Sequence, residues 1–320
     1  MNDQSVLSEA PATDLPIVND GVSWQAKLTT MLLRRVTGRR FSHSPNITSM
    51  RTLAKKVDRW AAGKVRGVEI EDRNVAAIPC RWLKGPVDSQ RVLLYLHGGG
   101  FVIHLPRTYD AFATRLAREI GASALIPDYR LAPEHPFPAA VEDCLTSYRW
   151  LLDQGYSADQ IVIAGDSAGG CLTLTTLLQI RDAGLPKPAA AVLLSPGTDC
   201  RRQALFGEPE LESGDPVLST DALDFFLSAY LTGDDSDTNP LVSPVFGDYH
   251  DMPPIQFHVG STEMILDHTL RVAERVSAAG GDAGLHVWKA MPHVHPLISW
   301  LPESKQALSM MGQFLRKHLA

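Results

Sequence analysis

No uninterrupted apolar stretch in this 320-residue chain is long enough to cross a bilayer, so the sequence does not read as a helical membrane protein. Positive charge is also in short supply. Thirty Lys and Arg stand against 36 Asp and Glu, a formal net charge of -6, and no basic stripe of the kind that tracks nucleic acid is present. The cysteines number only four, Cys80, Cys144, Cys171 and Cys200, with no C-x-x-C spacing, which argues against a metal knuckle or a disulfide framework. Met1 to Asp20 has neither the basic start nor the apolar run of a secretory leader, so the expectation is a cytoplasmic protein. Internal repeats and low-complexity segments are missing as well.

What the chain does have is 44% hydrophobic residues, enough at this length for a full core in one catalytic domain with an elaboration. Short apolar or β-branched runs alternate with helical patterns from about Val68 onward. Strands are expected at Val68 to Glu71, Val75 to Leu83, Val92 to Leu96, Ala124 to Pro127, Ile161 to Ala164, Ala191 to Leu194, Ile255 to Val259 and Leu285 to Trp288. Runs such as VLLYL and IVIAG are continuous rather than alternating, as in strands covered on both faces. Helical spacing is present over Thr108 to Ile120, Ala139 to Leu152, Ala168 to Asp182, Asp267 to Ala279 and Glu303 to His318. The pattern predicts an α/β fold, a mostly parallel eight-stranded sheet flanked by helices.

Two segments break the alternation. Gly21 to Ala62 reads as helical and basic around Arg34, Arg35, Arg39 and Arg40, and Arg201 to Pro254 is rich in Asp, Gly and Pro with one helix from Thr220 to Leu231. They are read jointly as a helical cap over the C-terminal edge of the sheet, where open α/β folds bind ligands. The expected division is an N-terminal cap segment at 1–65 and a catalytic domain at 66–320, with a cap insertion at about 201–250. A solvated face is the expected role of the basic stretch, ahead of membrane contact.

Three motifs carry chemistry. The strand ending at Ala164 runs into Gly165-Asp166-Ser167-Ala168-Gly169-Gly170 and then a helix, the strand-turn-helix context in which G-x-S-x-G lifts a nucleophilic serine above a sheet. Ala168 then offers a backbone N–H at a helix N-terminus, where negative charge is favoured. His97-Gly98-Gly99-Gly100-Phe101 follows the strand Val92 to Leu96, and glycine N–H groups there can approach an oxyanion closely. A base and an acid are expected further along the chain. His293 and His295 both lie in the loop after the last strand, and Glu263 precedes Asp267 after the strand before it, with Asp267 also a candidate helix N-cap.

Together these residues resemble the hormone-sensitive-lipase-like family of α/β-hydrolases, bacterial family IV esterases marked by HGGG and GDSAGG blocks. The likeness runs from about Val68 to the C-terminus and includes Asp128 to Glu134 and Met291-Pro292-His293. The resemblance implies an α/β-hydrolase fold with a helical cap, and a serine carboxylesterase acting on short- to medium-chain acyl esters without a metal or organic cofactor. It implies Ser167 as nucleophile, His293 as base, Glu263 as acid with Asp267 as the alternative, and Gly99, Gly100 and Ala168 as the oxyanion hole. Phe101 and His104 are expected at the substrate pocket, His104-Leu105 standing where many members carry Gly-Ser. Asp166 and the Asp128 to Glu134 block are expected to be scaffold. A lactonase or amide deacylase with the same triad is the alternative, and a non-catalytic ligand receptor, as in the plant gibberellin receptors that resemble this family, the more remote one. The small-molecule ester is the only partner expected besides a second copy of the chain, pairing through the edge strand Leu285 to Trp288.

Overall fold

The computed structural model describes residues 15–37, 46–61, 65, 67–86, 89–205, 214–233 and 236–320. Arg39 and Arg40, and the first fourteen residues of the expected N-terminal segment, lie outside them.

Eight strands form one sheet: β1 (Ile70–Val75), β2 (Ile78–Leu83), β3 (Val92–Leu96), β4 (Ser123–Pro127), β5 (Ile161–Asp166), β6 (Ala190–Leu194), β7 (Ile255–Gly260) and β8 (Ala283–Trp288). Their order is β1-β2-β4-β3-β5-β6-β7-β8. β2 runs antiparallel to β1 and β4, and the remaining pairs are parallel. The expected mostly parallel eight-stranded sheet is what forms. The opening hairpin departs from expectation, with β1 running to Val75 rather than ending at Glu71. A two-residue turn at Ala76 and Ala77, both at positive φ, joins it to β2 with Val75 opposite Ile78. That turn type normally announces itself with Asn or Gly. Two alanines give no such signal, so the sequence hides the turn.

Every residue of β3 to β7 is buried, because helices cover both faces. On one face Leu94, Ile163 and Phe257 pack with α4 (Ala139–Asp153), α5 (Ala168–Asp182) and α8 (Leu266–Ala278). On the other, Leu93, Tyr95 and Val192 pack with α3 (Pro106–Ile120) and α9 (Pro302–His318), through Phe112, Leu116, Met311 and Leu315. Burying each such side chain stabilises the fold by roughly 2 kcal/mol.

Two helices precede the sheet, α1 (Trp24–Thr37) and α2 (Ile47–Ala61). Ser23 caps α1, its Oγ accepting from Ala26 N at 3.1 Å, and is itself held by Glu303 at the start of α9. On α2, Asp58 accepts from the N–H groups of Arg107 and Thr108 at 3.1 and 2.8 Å, filling the N-terminus of α3 with a carboxylate. Arg51 donates to the carbonyls of Val102 and Ala132 at 2.9 and 2.8 Å and pairs with Glu134, clasping α2 to the loop that follows β3. The insertion after β6 carries α6 (Arg202–Leu205) and α7 (Thr220–Tyr230), and Arg34 reaches it through Gly214 O at 2.9 Å. Lys27, Arg34 and Arg35 of α1 are exposed, and Trp24, Leu28, Met31 and Leu32 are substantially accessible beside them. No described helix is long and apolar enough to cross a membrane.

Candidate active site

The parallel register assembles the site at one edge of the sheet. Leu96 pairs with Gly165 and Leu194 with Asp166, so the ends of β3, β5 and β6 lie side by side. Gly260 pairs with Trp288, which brings the loops after β7 and β8 together.

Ser167 occupies the turn between β5 and α5 at φ 53° and ψ -119°, a backbone region that L side chains rarely adopt and that costs about 1–3 kcal/mol. The turn is held by Ser167 N donating to Leu194 O at 2.8 Å and by the helix bond from Cys171 N to Ser167 O at 3.1 Å. Its tightness explains the flanking glycines. A Cβ on Gly165 would lie 2.2 Å from Gly169 O, and one on Gly169 would lie 1.9 Å from Leu96 O.

The glycine loop after β3 is tied to the same turn. Asp166 Oδ1 accepts from Gly98 N at 3.0 Å and Tyr95 OH at 2.5 Å, while Tyr129 OH donates to His97 O at 2.6 Å. Burial pushes the Asp166 carboxyl up to about 6, against the pull of those two donors. Gly99 sits at φ 106°, and its carbonyl accepts from Val102 and Ile103. Among the described residues, the N–H groups of Gly99, Gly100 and Ala168 donate to no protein acceptor. Gly100 and Ala168 line one cavity with Ser167.

His293 Nε2 lies 2.9 Å from Ser167 Oγ, and its Nδ1 lies 2.6 Å from Glu263 Oε2. The other carboxylate oxygen of Glu263 accepts from Gly260 N at 2.6 Å and Ser195 Oγ at 2.7 Å. Ser195 also accepts from Val294 N at 3.2 Å, so one hydroxyl at the end of β6 joins the acid loop to the histidine loop. Its position directly past a strand was the only sequence signal for it, and sequence reasoning passed it over. Met264 N donates to Asp215 of the insertion at 3.0 Å, tying the acid loop to the residues above it. Both His293 and Glu263 are buried. Burial disfavours the imidazolium of His293, but the charge and hydrogen bond of Glu263, helped by Asp215 and Asp166, outweigh it and hold the pKa above the ordinary histidine value.

The other candidates fall elsewhere. Asp267 is the second residue of α8, exposed, and paired with Arg271 at 2.5 Å; it neither meets His293 nor caps the helix, whose N-cap is Ile265. His295 is buried against Trp288, ring centres 5.1 Å apart, with both nitrogens unpaired and its pKa driven down to about 3 by burial. His258 and His286 share Gln256 between β7 and β8. His104 corrects the expectation that it borders the substrate. Its Nδ1 lies 2.9 Å from Asp128, its ring stacks on His97 at 4.3 Å, and it lines a separate cleft with Arg73 and Arg81. The carboxylate and the stacked ring draw it away from Ser167, whereas Phe101 does line the cavity at Ser167. The Asp128 to Glu134 block makes ion pairs to its surroundings, Arg130 with Asp143 and Glu134 with Arg51.

His97, His104 and Asp128 are the one group of potential metal ligands among the described residues, with atoms within 4.8 Å of one another. The imidazole planes are only 15° apart, so the rings stand side by side instead of converging on an ion that needs about 2.0–2.1 Å to each nitrogen.

The cavity at Ser167 measures about 70 Å³ and is roofed by Leu218, Leu223, Phe226 and Leu227 of the insertion. Phe226 lies so close over the glycine loop that a Cβ on Gly100 would meet its ring at 2.6 Å. A larger cleft of about 630 Å³, lined by Leu178, Arg181, Asn239 and Phe246, touches none of these groups, so size alone does not locate the chemistry.

A family model described as alpha/beta hydrolase fold matches residues 93–297. The chain is 37% identical to an acetyl-hydrolase of Streptomyces hygroscopicus over 239 residues, 73% of this chain and 78% of that one. Among solved structures, an esterase from the bacterial hormone-sensitive lipase family aligns with a TM-score of 0.85 and 36% identity, covering 94% of this chain and 100% of that one. The esterase EstE5, soaked with p-nitrophenyl butyrate, aligns with a TM-score of 0.85 and 34% identity, covering 92% and 99%.

Proposed function

This chain belongs to the alpha/beta hydrolase fold family, and from that premise we propose that its reaction runs on Ser167, His293 and Glu263. The protein is a carboxylic-ester hydrolase, a serine carboxylesterase of the hormone-sensitive-lipase type. What supports the residue assignment is one continuous set of contacts: the histidine's two nitrogens are 2.9 Å from the serine hydroxyl and 2.6 Å from the carboxylate.

In the proposed mechanism Ser167 Oγ attacks the ester carbonyl as its proton passes to His293 Nε2. Glu263 holds Nδ1–H, fixes the tautomer and stabilises the imidazolium that forms. The N–H groups of Gly99, Gly100 and Ala168, unpartnered among the described residues, receive the oxyanion, each worth about 3 kcal/mol to the transition state. His293 then gives its proton to the departing alcohol. Water, deprotonated by the same nitrogen, releases the acid from Ser167. The small cavity roofed by Phe226 supports a preference for short- to medium-chain acyl groups, and the name of the Streptomyces relative points the same way.

Residues of the N-terminal segment and of the 201–250 insertion together form the cap in this reading, joined by Arg34 and Gly214. Four buried, unpaired thiols favour the cytoplasm as its compartment. Dimerisation through β8 would use the outward backbone groups of Leu285, since those of Val287 already bond to Pro16 and Val18.

Hydrolysis of p-nitrophenyl butyrate tests the assignment. Ser167→Ala is expected to lower kcat by at least about 10⁴-fold without altering the circular dichroism spectrum. Wild-type turnover in that variant would discard Ser167 as the nucleophile.

A further inference from the structure

The cavity beside Ser167 is apolar along most of its wall, with Phe101, Leu223, Phe226 and Ile265 among its lining, yet a histidine, His268, also lines it. His268 stands in the first turn of α8 and is 4% exposed. Its Nδ1 accepts a hydrogen bond from Asp199 N at 3.4 Å. A neutral ring that accepts at Nδ1 carries its proton on Nε2, so this backbone contact selects the tautomer.

Burial drives the His268 pKa down to about 4, and with Arg201 and Arg271 held around Asp199 the ring is neutral near pH 7. The same two cations pair with the buried Asp199 carboxylate at 2.7 and 2.9 Å, while its backbone N–H goes to the imidazole. Thr198 Oγ1 donates to His268 O at 2.9 Å and fixes the residue from the opposite side.

The remaining Nε2–H has no protein acceptor among the described residues. It is also not one of the fully enclosed unpaired atoms, a set that includes both nitrogens of His295. With no acceptor among the described residues and outside the sealed set, this nitrogen is accessible, and the space its residue lines is the cavity at the nucleophile. A hydrocarbon chain filling that space would strip water from the donor and give it nothing in return. A site holding such a donor therefore discriminates against the analogue that lacks the matching oxygen.

Resting on the esterase reading, we propose that His268 Nε2–H is a specificity determinant: the substrate group seated in this cavity carries an acceptor oxygen, as an ether, carbonyl or hydroxyl, rather than being a plain alkyl chain.

The test uses pairs of esters of equal size. Ethyl 3-methoxypropanoate against ethyl pentanoate probes the acyl side, and 2-methoxyethyl acetate against butyl acetate the alcohol side. Hydrolysis is followed by pH-stat titration with the wild type, His268→Phe and His268→Gln. Comparing the kcat/KM ratio of each pair between enzymes cancels intrinsic reactivity. In one pair the wild-type preference for the oxygenated ester is expected to fall about tenfold in His268→Phe and to be retained in His268→Gln, whose amide restores a donor. An unchanged ratio in both pairs with folded His268→Phe overturns the proposal. Should that variant not fold, the wild-type ratio normalised to the hydroxide-catalysed rates decides, and a value of one or less in both pairs overturns it equally. Failure of the wild type to hydrolyse any of the esters would overturn the esterase reading itself, and the proposal with it.

Discussion

At the scale of single residues, the site is a chain of hydrogen bonds that runs from Ser167 through His293 and Glu263 to Ser195 and back to Val294. The electrostatics of that chain predict a pH profile. Glu263 raises the His293 pKa over the opposing effect of burial, and the base acts only when neutral. Sign follows directly: kcat/KM for p-nitrophenyl butyrate should rise with pH through an apparent pKa above the ordinary value of about 6.5. Glu263→Gln removes the charge responsible, so the acid limb should move to lower pH while kcat drops by about 10⁴-fold, as loss of the orienting carboxylate does in serine hydrolases. An acid limb that stays in place in Glu263→Gln would show that another group sets it. Ser167 was legible because its turn needs small neighbours and announces them as Gly165 and Gly169. Ser195 was not, because a serine that bridges two loops has the same local sequence as one that faces solvent.

At the scale of elements, the N-terminal helix α2 holds the loop after β3 that the chemistry uses. Arg51 of α2 joins Val102 and Ala132, one on the loop after β3 and the other in the turn before α4, and pairs with Glu134. Arg51→Ala leaves two carbonyls without their charged donor, so unfolding in urea should show a loss of about 2 kcal/mol. The KM for p-nitrophenyl butyrate should rise in the same variant, because the glycine loop loses its outer tether. Unchanged stability and KM would mean that α2 lies on this loop without supporting it. The long helices from α3 onward could be read from spacing to within two residues, since their apolar faces repeat with the period of the helix. β1 could not, because its end is set by the turn at Ala76 and Ala77, whose positive φ values are imposed by strand pairing and not by residue type.

At the scale of the whole molecule, β8 is one edge of the sheet and β1 the other, and Pro16 to Val18 lie along part of β8. A dimer formed through this edge predicts twice the chain mass in sedimentation equilibrium. Leu285→Pro, which removes an outward N–H, should return it to a monomer of 35.0 kDa. A wild-type chain that sediments as a monomer at all concentrations would remove the edge from consideration.

The sequence by itself determined the sheet, the order of its elements and the residue types available at each strand end. Burial on both faces demands continuous apolar strands, and a tight strand-helix turn demands glycine; both are local requirements that residues record directly. Only the tertiary structure decided which groups meet. Glu263 rather than Asp267 lies against His293, because Gly260 pairs with Trp288 and Asp267 is turned outward to Arg271 on α8. His104 turns toward Asp128 and away from Ser167 for a similar reason: its neighbour lies 24 positions along the chain and reaches it only once β4 and the loop after β3 are side by side. Contacts between residues far apart in sequence depend on register and on competing partners, and neither is written in the spacing of a motif.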